Sequence, residues 1–506
     1  MVITMNILDL PEEIQLQILD FLDFGNRLAA SKVCRLWNEL AFCGQFMNRI
    51  CLHLNISEGS LDRTMDNLES NGRPYRRIVI NFNNTVFPTI DRIALILGAI
   101  DSIASLVLTG IKYIEPCQLL SLLSNTPNLN QLCLSDDDDN FPESYVSNTP
   151  WYECFSYSPP IFLPIVQRLQ LVFPKIYKPT LESLPNIFPN LEQLELTTNS
   201  SSIITVCHAY RNQLERLSIL SPQRDFFILF CEMEFRKISQ LHFDQFELHD
   251  QLIVEKCTRF FLNPNHRTNL EQLIFHPRFM IRTAIFTTIC RNCSVLQELE
   301  LSLDYMNGDA LKEIINLKML QNLSLYGTAY FHETPRCLQT ISCLKRVKIS
   351  ASRFPISLLE FIADIAPKLE TLALEDIQEP EAIFQIMPGI VGSLQHLEMS
   401  FSDSFETPSS CRPSGFLKSM ASLQTYRLRR VIIGHGIQGW LQDAPNLRSV
   451  SLDNCRTLND THLVILTTNC PKLRQLTLKR CGQVTATGVA QFSSRVPLCS
   501  ISCELN

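Results

Sequence analysis

The stretch Asn446-Leu447-Arg448-Ser449-Val450-Ser451-Leu452-Asp453-Asn454-Cys455 returns as Lys472-Leu473-Arg474-Gln475-Leu476-Thr477-Leu478-Lys479-Arg480-Cys481. Each copy carries three apolar anchors, Leu447, Val450 and Leu452, then Leu473, Leu476 and Leu478. The last two anchors alternate about one residue, so on a strand they face one way and the residue between them faces the other. The same triplet reads Leu296-Leu299-Leu301, Leu320-Leu323-Leu325, Leu344-Val347-Ile349, Leu369-Leu372-Leu374 and Leu394-Leu397-Met399. First anchors at 296, 320, 344, 369 and 394 lie 24, 24, 25 and 25 residues apart. Strands stacked in this way make a parallel sheet, and the rest of each unit returns the chain by about 5 Å. Residues 459–468 read as a returning helix, with Asn459 or Asp460 as its N-cap. Pro127, Pro189, Pro367, Pro445 and Pro471 each stand two residues before a first anchor, where proline ends a helix and favours extended backbone.

Working outward, weaker copies reach Ile103-Leu106-Leu108 and Tyr75-Ile78-Ile80 upstream, and Leu498, Ile501 and Cys503 fit a last strand. The array then occupies residues 75–506 as about 17 units, with a period inside the leucine-rich-repeat range of roughly 20–29 residues. Ser451-Leu-Asp-Asn-Cys455, Asn469-Cys-Pro-Lys-Leu473 and Leu478-Lys-Arg-Cys481 resemble the cysteine-containing class of leucine-rich repeats. The resemblance implies an α/β solenoid, a horseshoe with parallel strands on the concave face and helices on the convex face. One step between units is longer: residues 135–160 carry Asp136-Asp-Asp-Asp139 and Trp151, Tyr152, Phe155 and Tyr157, an acidic and aromatic insertion.

The chain of 506 residues is 45% hydrophobic, enough for a large shared core, and its net charge of -7 argues against nucleic acid as the main ligand. No apolar run approaches the ~20 residues of a membrane span, and the opening residues lack a secretory pattern. Nineteen cysteines without a framework read as reduced thiols of a cytoplasmic or nuclear protein.

Residues 5–45 break the repeat. Pro11 suits a first helical turn, and Ile14, Ile18, Phe21 and Leu22 follow as one apolar stripe. Gly25 and Asn26 mark a break, after which Leu28, Val33, Leu36, Trp37 and Leu40 form a second amphipathic stretch. A helical hairpin of ~40 residues cannot hide all of these side chains, so some await a partner. Leu10-Pro11, Glu13-Ile14 and Val33-Cys34-Arg35-x-Trp37 resemble the F-box family, with Asn38 a mild departure after the Trp. The resemblance implies a non-catalytic subunit of a Skp–cullin–F-box ubiquitin ligase that binds substrate for proteasomal degradation. Adaptor contacts would come from Leu10, Pro11, Glu13, Ile14, Ile18, Leu22, Val33 and Trp37. The alternative is a leucine-rich-repeat interaction scaffold without ligase coupling. Residues 46–74 read as a packed linker, partly helical around 48–54.

Cys290-Arg-Asn-Cys293 has metal-ligand spacing without a second ligand pair, and reads as core cysteine. Gly434-His-Gly436 reads as a turn. No catalytic constellation, cofactor motif or metal set is indicated, and neither membrane nor nucleic acid is expected as a partner. With the strand phase fixed, Arg346, Lys348, His396, Arg427, Arg429 and Lys479 face outward, against Glu298, Glu300 and Glu398. This predicts a basic stretch of sheet suited to acidic or phosphorylated protein segments.

Overall fold

The computed structural model describes residues 7–56, 66, 68, 73–82, 93–94, 97–98, 100, 102–111, 116–135, 162–173, 176, 178–197, 202–220, 224–244, 251–277, 281–304, 306, 308–327, 339–351, 356–377, 392–402, 422–430 and 445–504. The aspartate run, the aromatic residues of the insertion and Gly434-His-Gly436 lie outside them. The chain divides into two compact units, Met1–Leu214 and Glu215–Asn506.

The first unit begins with three helices, α1 (Glu12–Asp20), α2 (Phe24–Ala30) and α3 (Arg35–Ala41). Six strands follow: β1 (Cys51–Ile56), β2 (Arg77–Phe82), β3 (Ser105–Thr109), β4 (Gln131–Ser135), β5 (Arg168–Val172) and β6 (Gln193–Thr197). Each is parallel to the next. In the second unit β7 (Arg216–Leu220), β8 (Gln240–Phe243), β9 (Gln272–Phe275), β10 (Glu298–Ser302), β11 (Asn322–Tyr326) and β12 (Arg346–Ser350) run in order. They continue through β13 (Thr371–Ile377), β14 (His396–Phe401), β15 (Thr425–Arg429), β16 (Ser449–Asp453), β17 (Gln475–Lys479) and β18 (Ser500–Glu504). Here too neighbours are parallel, with Leu323 beside Val347 beside Leu372, and the register shifts once, between Leu374 and Ile377 where β13 meets β14. Each unit is thus a leucine-rich-repeat solenoid.

The anchors explain why. Leu299, Leu301, Leu372, Leu374, Leu476 and Leu478 are all fully buried, while the residues between them are half-exposed. One face of each sheet is therefore closed by the returning elements and the other is open. The closed face removes three large apolar side chains per repeat from water, each worth about 1.5–3 kcal/mol. Backbone bonds also tie repeats together ahead of the strands: the Gln297 carbonyl accepts both Gln321 N–H (2.8 Å) and Asn322 N–H (3.0 Å). Helices 178–187, 356–365 and 460–469 end two residues before Pro189, Pro367 and Pro471. Asn459 is the N-cap of the last, accepting Thr461 N–H at 3.1 Å. Strands β11, β15, β16 and β17 leave the sheet through left-handed backbone, with Gly327 at φ 93°, Arg430 at 57°, Asn454 at 53° and Arg480 at 51°, and Asp376 at 60° lies at the register shift within β13.

Three local expectations fail. Residues 51–56 are a strand, not a helix: Leu52, Leu54 and Ile56 alternate with His53 and Asn55, and the strand pairs with β2 along its whole length. The break in the amino-terminal domain falls at Leu22–Asp23, because the Asp23 carboxylate caps α2 through Asn26 N–H (2.8 Å) and draws Gly25 and Asn26 into the helix. Leu498 is 72% exposed, and Cys499 takes the buried place before β18. Cys290 and Cys293 are core thiols, and burial pushes Cys293 up to about 12.

Candidate functional site

The amino-terminal helices are held by two buried polar side chains. Gln15, 2% exposed, accepts the Trp37 indole N–H on Oε1 (2.8 Å) and donates from Nε2 to the carbonyls of Leu10 (2.8 Å) and Leu8 (3.4 Å). Arg27 donates to the carbonyls of Leu19 (3.2 Å) and Leu22 (2.9 Å), closing the C-terminal end of α1. Its guanidinium lies over the Phe46 ring at 4.0 Å, so the charge is paired with carbonyl dipoles and an aromatic face. Leu19, Leu40, Ala41, Phe46 and Met47 complete the interior. At the joint with the strands, Arg73 stacks on Phe42 at 3.5 Å.

That interior leaves an unusual exterior. Ile7, Leu8, Ile14, Phe21, Phe24, Leu28, Val33 and Leu36 are exposed, Phe21 at 91% and Val33 at 65%. Eight large apolar side chains in a domain of this size exceed the scattered surface leucines of an ordinary soluble protein. Of the contact residues read from the sequence, Pro11, Glu13, Ile14 and Val33 are exposed, and Leu10, Ile18, Leu22 and Trp37 are half-buried. Phe21, part of the expected stripe, turns to solvent, while Gln15 and Leu19 face inward. Ile7, Leu8, Phe24, Leu28 and Leu36 join the exposed set. Their signal was a density of apolar residues greater than one helix face can bury.

The second candidate surface is the open face of β10–β18. Arg346, Lys348, His396, Arg427, Arg429 and Lys479 all lie on it; Arg346, His396 and Arg427 are exposed, and Lys348, Arg429 and Lys479 are half-buried. Four of them, Lys348, Arg427, Arg429 and Lys479, are partnered by acids from the same chain. Glu398 receives Arg427 (3.3 Å) and Arg429 (3.4 Å), Glu375 receives Lys348 (3.0 Å), and Glu504 receives Lys479 (3.1 Å). Asp453 receives Arg480 at 2.8 Å. The expected net-basic stretch is therefore largely neutralised. Glu375, Asp453 and Glu504 occupy the register position of Lys479 in their own strands, and an outward reading of β13, β16 and β18 finds them. Across β15–β18 that position alternates in sign: Arg429, Asp453, Lys479, Glu504. Further along the same face, burial raises the Glu300 carboxyl above the ordinary range, against the pull of its hydrogen bond to Tyr326 and of Lys348.

Among the described residues, no group of three His, Cys, Asp or Glu side chains could hold a metal ion, and no helix is long and apolar enough to cross a membrane. The chain resembles in structure a chain of the Rad7–Elc1 complex of yeast at 12% identity, over 97% of this chain and 94% of that one, with a TM-score of 0.36. It also resembles the TLR13–ssRNA13 complex (12% identity, 86% and 65% covered, TM-score 0.42) and the Drosophila Toll–Spatzle complex (12%, 90% and 61%, TM-score 0.35). No curated protein matches the sequence. Residues 7–53 match the F-box-like family model, so the amino-terminal helices with the exposed apolar set are an F-box-like domain.

Proposed function

We propose that this chain is the substrate-recognition subunit of a Skp–cullin–F-box ubiquitin ligase, working in the cytoplasm or nucleus. The F-box docks a Skp-type adaptor and through it a cullin–RING ligase. The solenoid holds a protein substrate for ubiquitination and proteasomal degradation, and ubiquitin transfer occurs on another subunit. The observation that carries this reading is the exposed apolar set on the F-box-like domain. Ile14 and Val33 stand in its midst, with Leu10, Pro11, Glu13, Ile18, Leu22 and Trp37 beside them. Covering each large aliphatic side chain fully is worth about 1.5–3 kcal/mol, and several together are needed to offset the entropy lost on association.

Substrate contacts are assigned to Arg346, Lys348, His396, Arg427, Arg429 and Lys479. Because Glu398, Glu375 and Glu504 already hold four of these cations, a substrate must bring carboxylates or phosphates that compete with them. Such competition gives specificity more than raw affinity.

The test is adaptor capture by the full chain and by the double variant Ile14→Asp/Val33→Asp. Both positions are exposed, so the charges leave the domain folded and act only on docking. Wild type should retain purified Skp-type adaptor and the variant should lose it, with thermal melts superimposed. Equal capture by the two overturns the ligase reading.

A further inference from the structure

A buried carboxamide at the centre of the F-box joins two parts of the exposed apolar surface that lie far apart in sequence. Leu8, Leu10 and Pro11 belong to the segment ahead of α1, and Trp37 to α3. Ahead of Pro11, whose carbonyl accepts Ile14 N–H (3.0 Å) and Gln15 N–H (3.1 Å), the segment forms one short 3-10 turn, Ile7–Asp9, which contains no buried residue. Its backbone bond from Leu10 N–H to the Ile7 carbonyl is long, at 3.4 Å. Gln15 supplies the tie: one end of its amide accepts from Trp37, and the other donates to Leu10 and Leu8. Both ends are used and the group is out of water. An apolar residue here would leave the Trp37 indole N–H and the Leu10 carbonyl without this partner.

We infer that Gln15 is the positioning residue of the adaptor-docking surface: its amide fixes the amino-terminal lip, Leu8 to Pro11, against Trp37 without touching the adaptor. The inference rests on the docking role proposed above, but its structural half stands apart from that role. The chemistry also dictates how a substitution behaves. A carboxylic acid at this position can donate its O–H to the Leu10 carbonyl and accept from Trp37, as the amide does. A carboxylate can accept from Trp37 but turns a bare oxygen toward two carbonyls. Burial raises a carboxyl pKa, so an acid here changes form within the working pH range. It is protonated and competent at low pH, ionised and incompetent at high pH.

The experiment compares wild type, Gln15→Met and Gln15→Glu as full chains, by adaptor affinity between pH 5 and 8 and by hydrogen exchange of residues 7–14. Gln15→Met should bind the purified adaptor about tenfold more weakly at every pH, equivalent to about 1.4 kcal/mol. Exchange at 7–14 should rise in it while solenoid peptides stay unchanged. Gln15→Glu should approach wild type at pH 5 and fall to the Met level at pH 8, with wild type flat. A general loss of folding would not recover with acid. Wild-type affinity in the Met variant, or a Glu variant whose affinity ignores pH, overturns the inference. If wild type itself fails to bind the adaptor, the docking role is overturned, and exchange at 7–14 alone decides whether Gln15 fixes the lip.

Discussion

Acid should loosen the second unit through one histidine. His266 is fully buried; its Nε2 accepts Phe235 N–H at 3.0 Å and its Nδ1 faces the Phe260 carbonyl at 2.9 Å. Because Nε2 accepts a backbone N–H, the proton of the neutral ring is on Nδ1, donating to Phe260. A second proton would stand N–H against N–H in an aromatic setting, with the Phe260 ring centroid 3.9 Å away. Burial accordingly lowers the His266 pKa below its ordinary value, although the Phe260 bond and Glu234 pull it upward. A base whose folded pKa is depressed binds fewer protons folded than unfolded. Its contribution is complete above the unfolded value of about 6.5 and is lost as pH falls below it, by at most ~1.4 kcal/mol per pH unit until the folded pKa is reached. His242 and His462, also lowered by burial, add to the same trend, so the comparison must isolate one group. His266→Gln does so, since its amide can accept from Phe235 and donate to Phe260 without titrating. The assay is opening free energy from hydrogen exchange in the helix 251–262, corrected for intrinsic rates, between pH 5 and 8. Wild type should lose protection below pH 6.5 and His266→Gln should lose less. Parallel curves would refute the assignment.

Other outcomes follow from the strand phase and the turns. Leu323→Asp or Leu372→Asp buries an unpaired charge and should lower stability by more than about 3 kcal/mol, whereas Asn322→Asp or Thr371→Asp should stay within ~0.5 kcal/mol; chemical denaturation distinguishes them. Gly327→Ala places a methyl against the Asp304 carboxylate on left-handed backbone and should cost at least about 1–2 kcal/mol. Gly482→Ala, with open space around it, should be near neutral. Arg427→Glu/Arg429→Glu sets three carboxylates together with Glu398 and should abolish capture of an acidic substrate, leaving adaptor capture intact; retained substrate capture in a pull-down at matched salt removes this face from the proposal.

The repeat was legible because burial enforces it: a leucine at each anchor is the cheapest way to close one face, and period two survives any drift in return length. The strand at 51–56 was equally legible, since Leu52, Leu54 and Ile56 carry that period, but the short apolar run beside a helical domain also fits a helix. Gln15 could not be found from spacing. A glutamine on an amphipathic helix reads as solvated, and only three partners converging from Leu8, Leu10 and Trp37 make its burial favourable. The apolar excess of the F-box was visible as a count, whereas which side chains stay outside depends on how Arg27 and Gln15 orient the helices. The charge of the open face depends on the strand ends: Glu375, Asp453 and Glu504 share the register position of Lys479, and phasing β13, β16 and β18 outward to that position balances the cations.

The alternating column Arg429, Asp453, Lys479, Glu504 also works as a ruler. Adjacent strands lie about 4.8 Å apart, so the sign of the surface reverses at that interval. An extended peptide laid across the strands offers same-side residues every ~6.6 Å and falls out of step within two strands. A helix offers neighbours at i, i+3 and i+4 about 5–6 Å apart, and stays nearly commensurate over the same distance. The spacing of charges at this end of the sheet thus matches the pitch of a helix better than that of an extended chain.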